Sequence, residues 1–274
     1  MDGMNSSPEA FADFERAGWE DAGIVAGYDE YLSVVTTQSI PALLDGAGVR
    51  AGSRVLDVAT GGGYAAQAAY RRGADVVGID FSEAQIRLAR KRHPEIRFEQ
   101  ADAQSLPFAP CSFDALICAF GLCHLPDPDR ALREAYRILK PGGRIAFSVW
   151  DIPERAIGVG AVYDAIRTHG SMDVGLPAGP SFFAFSDVGQ SIKVLQAAGF
   201  ASPTVRQAPQ VWQLDDADGI FDRIAKSSVR AGIALRSQSP SAIVAIRAAL
   251  RKKASEYKRG AHFEIPMPAI VAAA

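Results

Sequence analysis

Apolar and polar positions alternate in two registers between residues 53 and 150. Five short apolar runs are bounded by turn residues: "SRVLDVA" (53–59), "ADVVGID" (74–80), "IRFEQAD" (96–102), "SFDALICAFG" (112–121) and "RIAFSVW" (144–150). Short, largely β-branched runs of this kind predict buried strands. Helical periodicity fills the gaps. "YAAQAAYRR" (64–72) is Ala-rich and closes at Gly73. "SEAQIRLARKRH" (82–93) opens with Ser82 and Gln85 in capping-box spacing and stops before Pro94. "PDRALREAYRILK" (128–140) puts Leu132, Ala135, Tyr136 and Leu139 on one face and is stopped by "PGG" (141–143). Strand–helix repetition predicts an α/β fold, a parallel sheet with helices on both faces and right-handed crossovers. Ligands of such sheets lie beyond the carboxyl ends of the strands. The chemistry is therefore expected at 59–64, 80–82, 102–104, 118–124 and 150–155.

The flanks break the alternation. Residues 1–50 read as a helical cap with Trp19, Tyr28 and Tyr31. Beyond the core (51–150), residues 151–214 hold the Phe-rich loop "LPAGPSFFAFSD", a helix at 191–200 and a sixth strand, "PTVRQAPQVWQL" (203–214). A long helical segment, 216–258, reads as a lid insertion (215–259). "HFEIPMPAIVAAA", within 260–274, returns as a seventh strand.

Composition narrows the function classes. With 48% hydrophobic and 22% charged residues the chain is ordinary for a globular protein, and a net charge of −2 offers no basic surplus for a nucleic-acid partner. Three cysteines, Cys111, Cys118 and Cys123, read as reduced thiols of a cytoplasmic protein. Their spacing with His124 matches no common zinc pattern, so no metal is expected and the thiols read as small buried hydrophobes. The N-terminus is acidic and has no apolar h-region, so it does not read as a signal peptide. No apolar stretch reaches the roughly 18 residues of a membrane span.

The strand ends carry the candidate chemistry. In "VLDVATGGGYAA" (55–66), Gly61 and Gly63 free the backbone to approach a ligand at a helix start. That alone also fits a dinucleotide loop. Asp80 in "GIDFS" suits two ribose hydroxyls, and Asp102 in "ADAQ" suits an exocyclic amino donor such as that of adenine. Dinucleotide dehydrogenases do not generally need an acid at the second place. Tyr136 and Lys140 have the Tyr-x-x-x-Lys spacing of short-chain dehydrogenases, but run straight into "PGG". Tyr136 reads as core and Lys140 as a charge at a helix C-terminus.

Together "VLDVATGGG", "GIDFS", "ADAQSLPF", "SFDALICAFGLCHLPDP" and "RILKPGGRIAFSVW" are similar to the motifs of class I S-adenosylmethionine-dependent methyltransferases. The likeness is to the small-molecule branch of ubiquinone and menaquinone biosynthesis. The motifs cover residues 53–150, and strands six and seven extend the resemblance to most of the chain. It implies a Rossmann-like, seven-stranded, mostly parallel sheet with strand seven antiparallel and a helical lid. It also implies S-adenosylmethionine as cofactor, S-adenosylhomocysteine as product, and no metal. By the same resemblance Gly61 and Gly63 approach the methionine part, and Asp57 orients the loop and holds the amino group. Asp80 binds the ribose, and Phe81 packs on adenine. Asp102 and the Ala103 amide read the adenine edge. Carbonyls near Cys118 and Ala119 face the ammonium, and Tyr28 closes over the cofactor. Ala59 stands at the first glycine of the family pattern D-x-G-x-G-x-G, which implies a negative φ there.

Plainer readings stand beside these. The glycines suit any tight strand-to-helix turn, Asp80 and Asp102 suit helix N-caps, and Asp57 suits a satisfied buried acid. His124 is a candidate general base near the transferred methyl, or a residue that caps a helix or packs under the cofactor. Trp19, Tyr31, Trp150, Phe182, Phe183 and Phe185 are candidate acceptor contacts, and Arg230 or Arg236 could reach an anionic group. The resemblance implies methyl transfer onto an O, N or C atom, and the aromatic residues point to a small, largely apolar acceptor such as a natural product or quinone. The alternatives are an NAD(P)-dependent oxidoreductase and a non-catalytic S-adenosylmethionine-binding partner protein. Neutral charge and "AFGLCH" after strand four weigh against an RNA or protein substrate. The aromatic N-terminal arm suggests a homodimer.

Overall fold

The computed structural model describes residues 7–274. The first six residues, part of the stretch read as no leader, lie outside the described residues. Seven strands form the main sheet. They are β1 (Arg54–Val58), β2 (Asp75–Asp80), β3 (Arg97–Gln100), β4 (Phe113–Ala119), β5 (Leu139–Trp150), β6 (Thr204–Ala208) and, at the C-terminus, β10 (Ala269–Ala273). Their order is β3-β2-β1-β4-β5-β10-β6. β1 to β5 pair in parallel, while β10 runs antiparallel to both β5 and β6. This is the mostly parallel, Rossmann-like sheet with one antiparallel strand that the motifs imply. β1 lies at the centre because Val55, Leu56, Asp57 and Val58 are all buried, as a strand covered on both faces requires.

Strand periodicity sorts the core. Leu56, Val58, Leu116, Cys118, Ile145 and Phe147 share one face and pack with Leu132, Ala135, Ile138 and Leu195 of two covering helices. Those helices are Pro128–Ile138 and Val188–Ala197. The first is shorter than its periodicity suggested. It ends at Ile138, and β5 begins at Leu139 and passes through Pro141–Gly143 by a register shift, from Phe113↔Leu139 to Ala115↔Arg144. Its buried face is Ala131, Leu132, Ala135 and Ile138. Tyr136 falls just off that face and is 52% exposed, so it is not core. Lys140 is a strand residue whose Nζ pairs with Asp114 at 2.8 Å, not a helix-terminal charge.

Two expected single strands are each broken at proline. After β6, Pro209 ends the pairing, and β7 (Val211–Leu214) enters a separate three-stranded sheet with β8 (Lys258–Arg259) and β9 (His262–Pro266). Pro266 and Pro268 likewise separate β9 from β10. Proline cannot donate to a ladder, so the chain changes sheet at these points.

The chain forms two compact units. One holds the main sheet: Thr36–Trp150, Gly179–Ala208 and Ala269–Ala274. The other, largely helical, holds residues 7–35, Asp151–Ala178 and Pro209–Pro268. The expected helical segment at 216–258 consists of three helices, Gly219–Ser227, Arg230–Arg236 and Pro240–Ser255.

Inside the helical unit a buried acid joins two distant stretches of chain. Glu15, 1% exposed, accepts from Trp19 Nε1 at 3.2 Å and pairs with Arg230 at 3.0 Å. The Arg230 guanidinium lies 5.2 Å from the centre of the Phe11 ring. Arg230 is thus a structural cation, and the substrate-facing role considered for it is corrected. Arg230→Ala takes from the buried Glu15 carboxylate this cation, and the unfolding free energy of the variant is expected to fall by about 3 kcal/mol in denaturant titrations. Unchanged stability would contradict a structural role for this ion pair.

Candidate functional site

The strand order reverses between β1 and β4, and parallel sheets open their binding crevice at such a switch point. Register places Asp57 beside Gly78 of β2 and Ile117 of β4, and Asp80 beside Gln100 of β3. The carboxyl ends of four neighbouring strands therefore gather Asp57, Asp80, Asp102 and Ala119 along one edge.

The loop after β1 is held by carboxylates. Asp57, 1% exposed, accepts at Oδ2 from the Thr60 hydroxyl (2.6 Å) and the Ala66 amide (2.9 Å). Its Oδ1 is buried and has no hydrogen-bond donor. Asp80, 7% exposed, accepts from the Gly61 amide at Oδ2 and the Ser82 amide at Oδ1, both at 2.9 Å. It is therefore a clasp between two loops. The cap of the following helix, Glu83–Arg92, is Ser82, whose hydroxyl accepts from the Gln85 amide. Asp102 is exposed and accepts from the Gln104 amide at 2.8 Å. Ala103 beside it is buried, and Phe81 is half-buried with its carbonyl bonded to Gln100 Nε2.

The turn itself departs from one expectation. Ala59 has φ +54°, not a negative value. Thr60 N, two residues past the strand end, donates to the Ile79 carbonyl at 2.9 Å, and Ala59 lies left-handed between the strand and this bond. This costs roughly 1 kcal/mol for a residue with a Cβ. Gly63 (φ +82°) starts the helix Tyr64–Arg71. A Cβ on Gly63 would sit 2.9 Å from both His93 Cδ2 and Phe98 Cζ. Glycine is needed there for both space and conformation.

Burial dominates the electrostatics. It pushes the Asp57 carboxyl up to about 7, with the Asp80 charge adding to the rise while the Thr60 and Ala66 hydrogen bonds oppose it. Burial likewise pushes the Cys118 thiol up to about 12, keeping it neutral. Cys123 is buried too, but Cys111 is exposed, so only two of the three thiols are small buried hydrophobes. His93, 6% exposed, has its pKa lowered first by burial, and neither ring nitrogen has a partner.

After β4, Phe120 (φ +58°) donates its amide to the Ser148 carbonyl, and a 3₁₀ turn, Leu122–His124, follows. His124 is half-buried, with its ring edge-on to Phe182 at 6.3 Å. Phe182 is in turn edge-on to Phe183 at 5.2 Å. Phe185 does not join this group. It is 4% exposed and packs on Phe147 in the core. Trp150, 6% exposed, packs 4.4 Å from Phe120.

Of the expected residues, Trp19, Tyr28, Tyr31 and Arg230 belong to the helical unit. Trp19 meets Tyr28 edge-on at 5.5 Å, and Tyr28 opens a π-helical turn, Tyr28–Leu32. The Arg223 guanidinium lies 5.6 Å from the Tyr31 ring. Arg236 lies in the helical unit too, its guanidinium donating to the Ala225 carbonyl, and the remaining expected residues belong to the sheet unit. Sequence reasoning missed Thr60, Gly78, His93, Phe98 and Gly121. The one local signal was a hydroxyl residue three positions after Asp57. Contacts through Gly78 and His93 depend on pairing across the sheet.

Residues 56–147 match the model of a family described as a methyltransferase domain. A demethylmenaquinone methyltransferase of Renibacterium salmoninarum is 40% identical over 111 residues, 40% of this chain and 47% of the relative. A ubiquinone/menaquinone biosynthesis C-methyltransferase of Idiomarina loihiensis is 40% identical over 130 residues, 44% of this chain and 51% of the relative. The chain spans about half the length of the curated relatives it matches. Among solved structures, an N-methyltransferase of Haemonchus contortus, in complex with phosphomonomethylethanolamine and S-adenosylhomocysteine, superposes with a TM-score of 0.57 at 20% identity. That match covers 97% of this chain and 60% of the other, and shows likeness of fold.

The buried Asp57 makes a pH-dependent prediction. Its folded carboxyl titrates near 7 against an ordinary 3.8. Between those values the folded state keeps a proton that the unfolded state has lost, so this group's contribution falls as pH rises. Asp57→Asn is expected to stabilise the ligand-free protein relative to wild type, with an advantage that grows from about pH 5 to pH 8 and reaches at most roughly 4 kcal/mol. Thermal unfolding of both proteins across that range checks it. A gap that stays constant with pH contradicts it.

Proposed function

We propose that the chain, which carries a methyltransferase domain over residues 56–147, transfers a methyl group from S-adenosylmethionine to a small, largely apolar metabolite. The observation that carries this reading is the pair of buried strand-end carboxylates flanking the glycine turn, with Asp57 Oδ1 left as a buried acceptor without a donor. A ligand bearing an ammonium group, a ribose and an adenine fits this donor and acceptor set. Asp57 Oδ1 accepts from the ammonium. Asp80, whose two oxygens hold the Gly61 and Ser82 amides, is the carboxylate for the two ribose hydroxyls. Phe81 offers a ring to the adenine face, and Asp102 with the Ala103 amide offers an acceptor and a donor to its edge. Gly61 and Gly63, both left-handed, let the backbone come close.

When bound, the cofactor supplies an electrophilic methyl on a sulfonium that is already a good leaving group. The chain's task is then mainly to position the acceptor and keep water away. Phe182 and Phe183 offer an aromatic surface beside His124, suited to an aromatic or quinone-like acceptor. His124 can take a proton from an acceptor hydroxyl that arrives protonated. The names of the curated relatives support a quinone-like ring as the first class to test.

Calorimetric titration of the full chain with S-adenosylmethionine, S-adenosylhomocysteine and NADH tests the reading. Binding of both sulfur ligands and none of NADH is expected, with a loss of roughly 100-fold in Asp80→Ala, where two charge-assisted ribose bonds disappear. Binding of NADH instead would restore the dinucleotide reading and overturn this one.

A further inference from the structure

Thr60 is absent from the ligand-contacting set above, yet the loop converges on it. Its hydroxyl donates to Asp57 Oδ2 at 2.6 Å. Its amide donates to the Ile79 carbonyl and its carbonyl accepts from the Gly63 amide, both at 2.9 Å. One residue thus fastens the acid of β1, the end of β2 and the second left-handed glycine. Thr60 is 6% exposed. Room for its hydroxyl comes from across the sheet, since a Cβ on Gly78 would lie 2.8 Å from Thr60 Oγ1.

With Oδ2 engaged by both Thr60 and Ala66, the Asp57 carboxylate cannot rotate without losing two hydrogen bonds. Oδ1 is the oxygen left over. The groups that act on Asp57 from the neighbouring strands do not favour its charge: Asp80 from β2 is an acid, and Cys118 from β4 is a neutral thiol. The Thr60 hydroxyl and the Ala66 amide are the donors that do favour it.

We propose that Thr60 is a positioning residue for cofactor binding, its hydroxyl fixing the Asp57 carboxylate so that Oδ1 receives the ligand's ammonium group. The assignment rests on the methyl-donor reading above. A hydrogen bond to the charged form favours that form, so losing the hydroxyl lets Asp57 hold its proton to higher pH. The ammonium needs the carboxylate. Ligand affinity therefore falls as pH drops through the titration of Asp57, and without the Thr60 hydroxyl the fall begins at higher pH.

The experiment is calorimetric titration of S-adenosylhomocysteine into the full chain as wild type, Thr60→Val and Thr60→Ser, between about pH 6 and 8.5. Thermal unfolding verifies that each variant is folded, and Thr60→Ala serves the same test if valine is not tolerated in this crowded place. In Thr60→Val the midpoint of the acid limb is expected to move up by roughly one unit, with affinity at neutral pH down roughly tenfold. Thr60→Ser restores both. A merely structural role would lower affinity equally at all pH values. A midpoint unchanged in Thr60→Val, or not restored by serine, overturns the proposal. Wild type that binds no S-adenosylhomocysteine overturns the methyl-donor reading, and this assignment with it.

Discussion

A carboxylate buried at the end of the central strand is the constraint on which the site depends. Asp57 sits where β1 is covered on both faces, and a charge there is costly unless donors converge on it. Two do, the Thr60 hydroxyl and the Ala66 amide, and together they close the chain back on itself across the glycine turn. The second acid, Asp80, reaches over from β2 to the Gly61 amide and ties the same loop to its neighbour. The loop is rigid because acids on two strands need its amides. One acceptor oxygen of Asp57, Oδ1, nevertheless remains without a donor, and the proposed function gives it the ligand's ammonium.

The backbone around these acids is arranged for close approach. Ala59, Gly61, Gly63 and Phe120 all take left-handed conformations within two neighbouring strand-to-loop turns. Gly121 faces Ala59 so closely that a Cβ there would lie 2.5 Å from the alanine Cβ. Beneath the turn His93 and Phe98 fill the space that a side chain at Gly63 would take. His93 suits this place as a neutral ring, since both nitrogens are buried without partners and burial, the largest influence, lowers its pKa despite the nearby Glu95. Strain of this kind clusters at functional sites and persists because the surrounding packing determines it.

Much of this was legible in the sequence, for identifiable reasons. The parallel strands announced themselves as short apolar runs, and the acids Asp57, Asp80 and Asp102 stood out because charges at the ends of such runs need a purpose. What stayed hidden depended on partners distant in the chain. The negative φ expected at Ala59 ignored the hydrogen bond from Thr60 to Ile79, which sets the turn. Tyr136 read as core because Leu139 was counted in its helix, whereas Leu139 opens β5. The prolines at 209, 266 and 268 were visible, but that they move the chain between two sheets depends on which strands are available to pair. Arg230 read as a cation for an anionic ligand group, whereas its partner is Glu15, more than two hundred positions away. Phe185 and Phe182 are close in sequence and part company only in packing, one against Phe147 and the other beside His124.

In the proposed function the strand-end loops of β1 to β4 together hold S-adenosylmethionine. Amide hydrogen exchange with and without S-adenosylhomocysteine tests it most directly, because it reports where the ligand acts rather than whether it binds. The account expects slowed exchange concentrated at residues 59–63, 80–82, 102–104 and 118–121. Binding that leaves those segments unchanged and protects amides elsewhere would contradict it.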